Sequence, residues 1–159
     1  MSSYLITGGT GTFGSAMVRS LLADTRAGRI AVFSRDEFKQ HIMQMELPKD
    51  ERLRWFIGDV RDLQRLRRAF QDVNYVIHAA ALKQVEAAEF NPFEAVQTNV
   101  IGTQHVIEAA IDCGVRRTVL VSSDKAVNPT SLYGATKLCA ERMFLAAPAM
   151  AGKRPCSFG

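Results

Sequence analysis

Residues 4–14 read YLITGGTGTFG, a short apolar run followed at once by closely spaced glycines. The spacing matches G-x-G-x-x-G at Gly9, Gly11 and Gly14, and G-x-x-G-x-x-G when it is counted from Gly8. Such glycines permit a tight turn and let a pyrophosphate approach the backbone N–H groups of a helix N-terminus. Since a strand pattern precedes the turn and a helical pattern follows it, the stretch predicts a dinucleotide-binding site.

The alternation of strand and helix continues along the whole chain. Strands are predicted at 4–7, 29–33, 53–58, 75–80 and 117–123, and the last residues, KRPCSFG, have the pattern of a sixth. Helices are predicted near 13–23, 37–46, 61–70, 92–113 and 132–147. The helix at 92–113 has Asn91 as its N-cap, Pro92 in its first turn and Gly114 after its end. Apolar strands alternating with helices predict an α/β fold, a doubly wound parallel sheet with helices on both faces.

Length and composition restrict the class of protein. The 159 residues suit one domain, and 47% of them are hydrophobic. The net charge is +4, and the basic runs at 51–55 and 65–70 are interpreted as solvated faces, so no nucleic-acid partner is expected. The chain has no long apolar stretch of the length that a membrane helix needs. A soluble, cytoplasmic protein without membrane contact is predicted.

Neither disulfides nor a metal site is expected. Cys113, Cys139 and Cys156 are odd in number and form no C-x-x-C pair. The three histidines are scattered without ligand spacing. His78, which ends an apolar run, is interpreted as a packed strand-end residue rather than a catalyst.

The end of the second predicted strand indicates which cofactor would bind. An acidic residue there hydrogen-bonds the ribose 2′-OH of NAD, whereas cationic side chains suit the 2′-phosphate of NADP. Ser34 and Arg35 stand in the place of the acid and Lys39 follows one helical turn later, so NADP is favoured over NAD. A one-residue shift would instead bring the Asp36 carboxylate to the ribose. After the third strand, Asp59 is either an acceptor for the adenine amino group or the N-cap of the next helix.

The stretch VSSDKAVNPTSLYGATK contains a candidate catalytic group. Tyr133 and Lys137 are four residues apart and share a helix face. The lysine cation therefore favours the phenolate, which can accept a proton from a substrate hydroxyl. Ser123 completes a Ser/Tyr/Lys set for hydride transfer at an alcohol carbon. Asp124 and Lys125 follow it directly, and simple alcohol oxidation calls for no such second acid–base pair.

Taken together, these motifs resemble one family over essentially the whole chain. The matching stretches are TGGTGTFG, FSRDEFKQ, GDVRD, HAAALKQVE, NPFEAVQTNVIGT and SSDKAVNPTSLYGATK. The chain resembles the extended short-chain dehydrogenases/reductases, and more narrowly the inverting UDP-N-acetylglucosamine 4,6-dehydratases of polysaccharide biosynthesis. That resemblance implies a Rossmann domain at 1–159 that binds NADP. The smaller C-terminal substrate domain of the family would be absent from this chain, in agreement with its abrupt stop.

The resemblance also implies an activity. A UDP-sugar, UDP-N-acetylglucosamine, would lose water to give a 4-keto-6-deoxy sugar nucleotide with inverted C5 for bacterial surface glycans. After oxidation at C4, Lys125 would act as the base at C5 and Asp124 as the acid for the departing 6-hydroxyl, which explains the second acid–base pair. These two neighbours would titrate as a coupled pair. The enzyme would be a lyase that regenerates its NADP, and family members tend to be homo-oligomers.

The resemblance supplies the complete set of expected site residues. Those expected at the cofactor are Thr7, Gly8, Gly11, Thr12, Phe13, Gly14, Ser34, Arg35, Lys39, Asp59, Val60, Ala79, Ala80, Lys83, Asn99, Tyr133 and Lys137. Those expected at the sugar are Lys83, Ser123 and Tyr133. For Asn99, a hydrogen-bonding role near the cofactor and a satisfied buried amide are equally good interpretations. The chain departs from the family at Ser123, usually threonine, and at Glu86, where proline is common.

Two other functions compete with dehydration. A UDP-sugar 4-epimerase of the same superfamily would keep the glycines, Tyr133 and Lys137 but would have no use for Asp124 and Lys125. A non-catalytic NADP-binding module would usually dispense with the Tyr-x-x-x-Lys pair, so the presence of that pair favours an enzyme.

Overall fold

Six parallel strands form one sheet in the computed structural model, which describes residues 1–154 and 156–159. The strands are β1 (Ser2–Thr7), β2 (Ala27–Ser34), β3 (Leu53–Ile57), β4 (Tyr75–His78), β5 (Arg117–Leu120) and β6 (Ser157–Phe158). Their order, β3-β2-β1-β4-β5-β6, runs outward in both directions from β1. A crevice therefore opens where β1 and β4 end, and the predicted doubly wound sheet is confirmed.

Seven α-helices connect the described strands. They are α1 (Thr12–Ala23), α2 (Glu37–Glu46), α3 (Leu63–Phe70), α4 (Val85–Phe90), α5 (Pro92–Val96), α6 (Gly102–Asp112) and α7 (Leu132–Ala151). A π-helical turn, Gln97–Ile101, joins α5 to α6, and a 3-10 turn, Asp124–Ala126, precedes α7. None of the helices in the described part of the chain is both long and apolar enough to cross a bilayer.

Several predicted boundaries were wrong for identifiable reasons. The helix predicted at 92–113 is interrupted by the π-helical turn, and α4 was not predicted at all. Asn91 precedes α5, but its side chain accepts no backbone N–H of that helix, and its Nδ2 donates backwards to Ala87 O. The fourth strand stops at His78 because the Ala80 N–H turns to the Thr7 hydroxyl. Of the predicted sixth strand, Ser157–Phe158 is observed, and Pro155 lies outside the described residues.

The core fills both faces of the sheet, as expected for parallel strands. Along β1, Leu5 points to a cluster with Leu66 and Phe70 of α3, while the next residue, Ile6, packs with Val18 of α1. Leu5, Ile6, Val18, Leu66 and Phe70 are all fully buried. A third cluster fixes α7 on α6. The sheet whose strands end at the crevice is therefore packed on both faces.

A buried histidine links the ends of β1 and β4 to the π-helical turn. His78 Nδ1 lies 2.7 Å from Thr7 Oγ1, and its Nε2 lies 3.1 Å from Thr103 Oγ1. The Thr103 hydroxyl donates to Asn99 O at 2.6 Å, so it accepts from the ring, and Nε2 carries the proton. Thr7 Oγ1 accepts from Ala80 N and donates to Nδ1. His78 is a satisfied packing residue, as the sequence indicated.

Candidate active site

A cleft of about 400 Å³ lies at the carboxyl ends of the central strands. Most of the residues predicted at the cofactor line it, namely Gly8, Gly11, Thr12, Phe13, Gly14, Ser34, Arg35, Lys39, Val60, Ala79, Ala80, Lys83, Tyr133 and Lys137. Thr7, Asp59 and Asn99 do not line it, and neither do Ser123, Asp124 and Lys125. The structure thus brings the glycine turn and the Tyr-x-x-x-Lys pair to one cavity.

The glycine turn is shaped by close backbone approach. Gly8 has a φ of +66°, and a Cβ built there would lie 2.8 Å from the Ala80 nitrogen. A Cβ at Gly14 would collide with the Gly8 carbonyl oxygen and lie 2.6 Å from the Cα of Gly9. The α1 helix begins after Gly11 with no side-chain cap and no acidic residue in its first turn. Its free N–H groups fit a pyrophosphate.

The end of the cleft formed by Arg35, Asp36 and Lys39 carries mixed charge. The Arg35 and Lys39 side chains line it and are more than half exposed. Asp36 also lines it, but its carboxylate caps α2 by accepting the Lys39 N–H at 2.9 Å and lies 3.8 Å from Lys39 Nζ. Ser34 is buried, and its Oγ accepts from Gln40 Nε2 at 3.0 Å. A cationic pair therefore remains on the open side of this end.

Two arginines, Arg61 and Arg35, form ion pairs with the Asp59 carboxylate. Arg61 donates its backbone N–H to Asp59 Oδ1 and its guanidinium to Oδ2, at 2.8 to 3.0 Å. Arg35 Nη1 lies 3.6 Å from Oδ2. Burial alone would raise the pKa of Asp59, but the hydrogen bonds from Arg61 outweigh it and hold the pKa below its ordinary value. The interpretation of Asp59 as a helix N-cap was wrong, because Asp62 caps α3.

Tyr133 and Lys137 lie on the first turns of α7 and are almost fully buried, at 8% and 4% exposure. Ser131 caps this helix by accepting the Gly134 N–H at 3.2 Å. Lys137 Nζ donates to Val121 O at 2.7 Å. Burial lowers the pKa of Lys137 to about 8, with the Glu141 carboxylate opposing that shift. The Lys137 side chain is therefore fixed on the Val121 carbonyl, one helical turn after Tyr133, with its pKa below the ordinary value.

The Asp124–Lys125 turn stands outside the cleft lining. Ser123 Oγ donates to Asp124 Oδ1 at 3.1 Å and accepts from Lys125 N at 3.2 Å. The Lys125 ammonium lies 3.6 Å from Asp124 Oδ1, with the two side chains 52% and 87% exposed. The Ser123 hydroxyl and then Lys125 hold the pKa of Asp124 below its ordinary value. Asp124 and Lys125 thus form an ion pair in this structure.

Asn99 is a satisfied buried amide. Its Oδ1 accepts from Leu82 N at 2.8 Å, and its Nδ2 donates to Leu82 O and to Thr136 Oγ1, both at 3.0 Å. Thr136 Oγ1 in turn donates to Tyr133 O. Asn99 therefore connects the segment before Lys83 to the helix that carries Tyr133, without lining the cleft itself.

Residues that were not predicted also line the cleft, namely Thr10, Phe33, Gly58, Ala81, Thr98, Val121 and Ser122, and so does Asp36, which the sequence offered as the alternative ribose contact. Val121 and Ser122 directly follow β5, so the rule that ligands bind at the carboxyl ends of parallel strands would have found them. Thr98 lies in the π-helical turn, and its buried hydroxyl has no partner among the described residues. Such an unpaired group fits a cavity that takes a polar ligand.

In the part of the chain that the structure describes, no group of three or more His, Cys, Asp or Glu side chains is placed to hold a metal ion.

Comparison with known proteins agrees with the motifs. A family model described as polysaccharide biosynthesis protein matches residues 4–158. The inverting UDP-N-acetylglucosamine 4,6-dehydratase of Campylobacter jejuni subsp. jejuni serotype O:2 is 48% identical over 157 residues, 99% of this chain and 47% of that protein. The UDP-glucose 4-epimerase of Rickettsia rickettsii is 44% identical over 147 residues, 91% of this chain and 43% of that protein. The chain spans about half the length of the curated relatives it matches.

A solved structure gives the same result for the fold. DesIV, a dTDP-glucose 4,6-dehydratase from Streptomyces venezuelae solved with NAD bound, matches with a TM-score of 0.87 at 31% identity. The match covers 94% of this chain and 52% of DesIV. The likeness therefore includes the sheet and the strand ends that form the cleft.

Proposed function

Since the chain belongs to the polysaccharide biosynthesis protein family, we propose that the whole protein dehydrates UDP-N-acetylglucosamine. The product would be a 4-keto-6-deoxy sugar nucleotide with inverted C5, made for bacterial surface glycans. One observation carries the proposal: the Asp124–Lys125 pair lies on the short turn before the helix whose Tyr133 and Lys137 line the cleft. Dehydration needs both pairs, because it joins a proton transfer at C4 to an elimination across C5 and C6.

The cofactor that the cleft would hold is a nicotinamide dinucleotide, and we propose NADP. The turn from Gly8 to Gly14 and the open α1 N-terminus suit its pyrophosphate. Arg35 and Lys39 suit a 2′-phosphate, while Asp36 is engaged as the α2 N-cap. When bound, the nicotinamide would accept a hydride from C4 of the sugar and later return it to C6. DesIV binds NAD, so the choice between the two cofactors requires its own measurement.

Tyr133 would begin the reaction by accepting the proton of the sugar 4-hydroxyl. The phenol faces the cleft from a helix whose first turn is capped by Ser131 and by the Glu89 carboxylate. Lys137, fixed on the Val121 carbonyl, would favour the phenolate through its positive charge. Lys83 and Ser123 would orient the sugar by hydrogen bonding. With a nicotinamide as the hydride acceptor, these groups would supply the proton transfer and the orientation that oxidation at C4 requires.

Asp124 and Lys125 would perform the elimination. The ketone at C4 acidifies the C5 proton, which Lys125 would remove, while Asp124 would protonate the departing 6-hydroxyl so that it leaves as water. Return of the hydride to C6 and reprotonation of C5 from the opposite face complete the turnover with inversion and no net oxidation. Because the two side chains form an ion pair in this structure, the sugar must separate them and exclude water to favour their neutral forms.

The second candidate is a UDP-sugar 4-epimerase, which the 44% identity to the Rickettsia rickettsii protein favours. An epimerase would use Tyr133 and Lys137 but return the hydride to C4. Asp124 and Lys125 would then have no catalytic role, because no elimination takes place. A non-catalytic NADP-binding module is the weaker alternative, because Tyr133 and Lys137 are placed beside the glycine turn in one cleft.

The proposal is tested by following the sugar by NMR in deuterated water with the whole protein, UDP-N-acetylglucosamine and NADP. Dehydration places deuterium at C5 and produces a 6-methyl signal and a hydrated 4-ketone. Lys125→Ala should lose this product while still binding cofactor, and Lys49→Ala, at an exposed lysine outside the cleft, is the matched control. A C4 epimer with an intact 6-hydroxyl and an unlabelled C5 would contradict the proposal.

We further expect a cytoplasmic homo-oligomer, which sedimentation and cell fractionation would check.

A further inference from the structure

Gly134 is the point of contact between α7, which carries Tyr133 and Lys137, and the turn that carries Asp124 and Lys125. It directly follows Tyr133 in the first turn of α7 and is buried. A Cβ built on Gly134 would collide with the backbone carbonyl oxygen of Lys125 and would lie 3.0 Å from the Cβ of Pro129. Its φ is not in the left-handed region, so the backbone conformation does not require glycine there. The absence of a side chain is what lets the Lys125 carbonyl rest on the helix.

The start of α7 is held firmly on its other sides. Leu132 N donates to the Glu89 carboxylate of α4 at 2.8 Å, and Gly134 N donates to Ser131 Oγ at 3.2 Å. Further along, Phe144 and Ala147 are buried against α6. The helix therefore has little freedom to retreat from an added atom.

Of the two elements in contact at Gly134, the turn that carries Asp124 and Lys125 is less firmly held than α7. It comprises only Asp124–Ala126, and its acidic and basic side chains are 87% and 52% exposed. Asn128, just beyond it, has a φ of 48°, in the left-handed region. A methyl group on Gly134 would thus displace this turn rather than the helix.

We propose that Gly134 is a positioning residue, which seats the Asp124–Lys125 turn against the N-terminus of α7 at the distance that elimination requires. This inference rests on the proposed dehydratase function. Its consequence is that one substitution separates the two halves of the reaction. Tyr133 and Lys137 stay with the helix and keep the oxidation at C4, while Asp124 and Lys125 move with the turn. A displacement on the order of 1 Å at reacting groups is enough for a loss of about 100-fold.

The experiment uses Gly134→Ala in the whole protein, with Ala135→Ser as the matched control because Ala135 is exposed on the same helical turn. Two quantities are measured after UDP-N-acetylglucosamine is added. Absorbance of the reduced nicotinamide reports oxidation at C4, and NMR of the 6-methyl group reports elimination. Gly134→Ala should reduce the bound cofactor as the unsubstituted protein does and form product about 100-fold more slowly. Ala135→Ser should leave both rates unchanged.

Two results would overturn the inference. If oxidation and elimination slow in parallel, Gly134 serves the helix itself and does not place the turn. If both rates are unchanged, the turn does not depend on the contact. Retained cofactor reduction shows that the variant is folded, and where both steps are lost the backbone amide shifts of the variant decide the case.

A second readout does not depend on the activity. Backbone amide NMR of Gly134→Ala should show shifts concentrated in residues 123–130, with the amides of α7 beyond Leu138 unmoved. Shifts spread along α7 would overturn the inference even in a protein that dehydrates its substrate. Conversely, if the unsubstituted protein forms no dehydrated sugar, the proposed function fails, and the amide shifts alone decide whether Gly134 seats the turn.

Discussion

Replacing His78 by glutamine should remove much of the sensitivity of the fold to mild acid. His78 is fully buried between Thr7 and Thr103, and the Thr103 hydroxyl is already committed as a donor to Asn99 O. A second ring proton would have to displace the Thr7 hydroxyl proton that faces Nδ1. Burial, and after it the positive charge of Lys137, lowers the pKa of His78 from 6.5 to about 3. The folded protein therefore keeps the ring neutral while the unfolded chain takes up a proton.

The direction and size of the effect follow from this difference. Below pH 6.5 the unfolded state binds more protons than the folded state, so the free energy of unfolding falls as the pH falls. The loss is about 2 kcal/mol between pH 7 and pH 5 and continues at about 1.4 kcal/mol for each further pH unit. Carboxylates change the free energy of unfolding only at lower pH than His78 does. The pKa of Asp50, for example, is lowered from 3.8 to about 2 by Arg52, so its contribution is lost only as pH falls below about 4.

The assay is urea denaturation of the 159-residue chain, followed by circular dichroism, at several values between pH 7 and pH 5. Glutamine can accept from Thr7 and donate to Thr103 but does not titrate, so His78→Gln should show a nearly flat free energy of unfolding over this range. His41→Gln is the matched control, since His41 is exposed and its loss should leave the slope intact. Parallel slopes for the His78 variant and the unsubstituted protein would refute the reasoning, whatever the absolute stability of the variant.

Three further predictions concern the cleft. The free energy of unfolding should rise by about 3 kcal/mol as the pH increases from about 8 to 10.5, because the unfolded chain retains the Lys137 proton that the fold has already released; Lys137→Met should lack this rise in urea denaturation. Gly8→Ala should weaken NADPH binding at least about tenfold in a fluorescence titration, because a Cβ would collide with the Ala80 backbone and a φ of +66° is unfavourable for alanine. Unchanged affinity would show that the turn does not bind the pyrophosphate. Arg35→Ala should weaken binding of NADP about tenfold and of NAD far less in calorimetry, and equal losses would mean that Arg35 does not contact the 2′-phosphate.

The sequence was sufficient for the parts of the site whose geometry is set within a few residues. The glycine turn and the Tyr133–Lys137 pair depend on local spacing, and both line the cleft. The parallel sheet followed from the alternation of apolar strands and helices, because only that arrangement buries both faces of such strands. The position of the cleft was predictable for the same reason, since parallel strands end together at one edge of the sheet.

Features that depend on contacts between distant residues were not predicted. The ion pair between Asp59 and Arg61 joins residues two apart and could be inferred from the sequence. The contact between Asp59 and Arg35 could not, because it depends on the register of β2 on β3. The π-helical turn at Gln97–Ile101 carries no sequence signal, although its Asn99 has poor helix propensity. That amide gains three hydrogen bonds to Leu82 and Thr136, and such tertiary contacts outweigh local preference.

The two acid–base pairs differ in how easily a sequence can change them, and on the proposed function this difference would account for relatives of two activities. Tyr133 and Lys137 are 8% and 4% exposed in a packed helix, so replacing either one disturbs the core. Asp124 and Lys125 are 87% and 52% exposed on a three-residue turn, where substitution costs the fold little. On the proposed function, the oxidation that dehydratases and epimerases share resides in the core, whereas the elimination that separates them resides on the replaceable turn. The chain itself is 48% identical to a dehydratase and 44% identical to an epimerase over the matched parts of those proteins, which such an arrangement would allow.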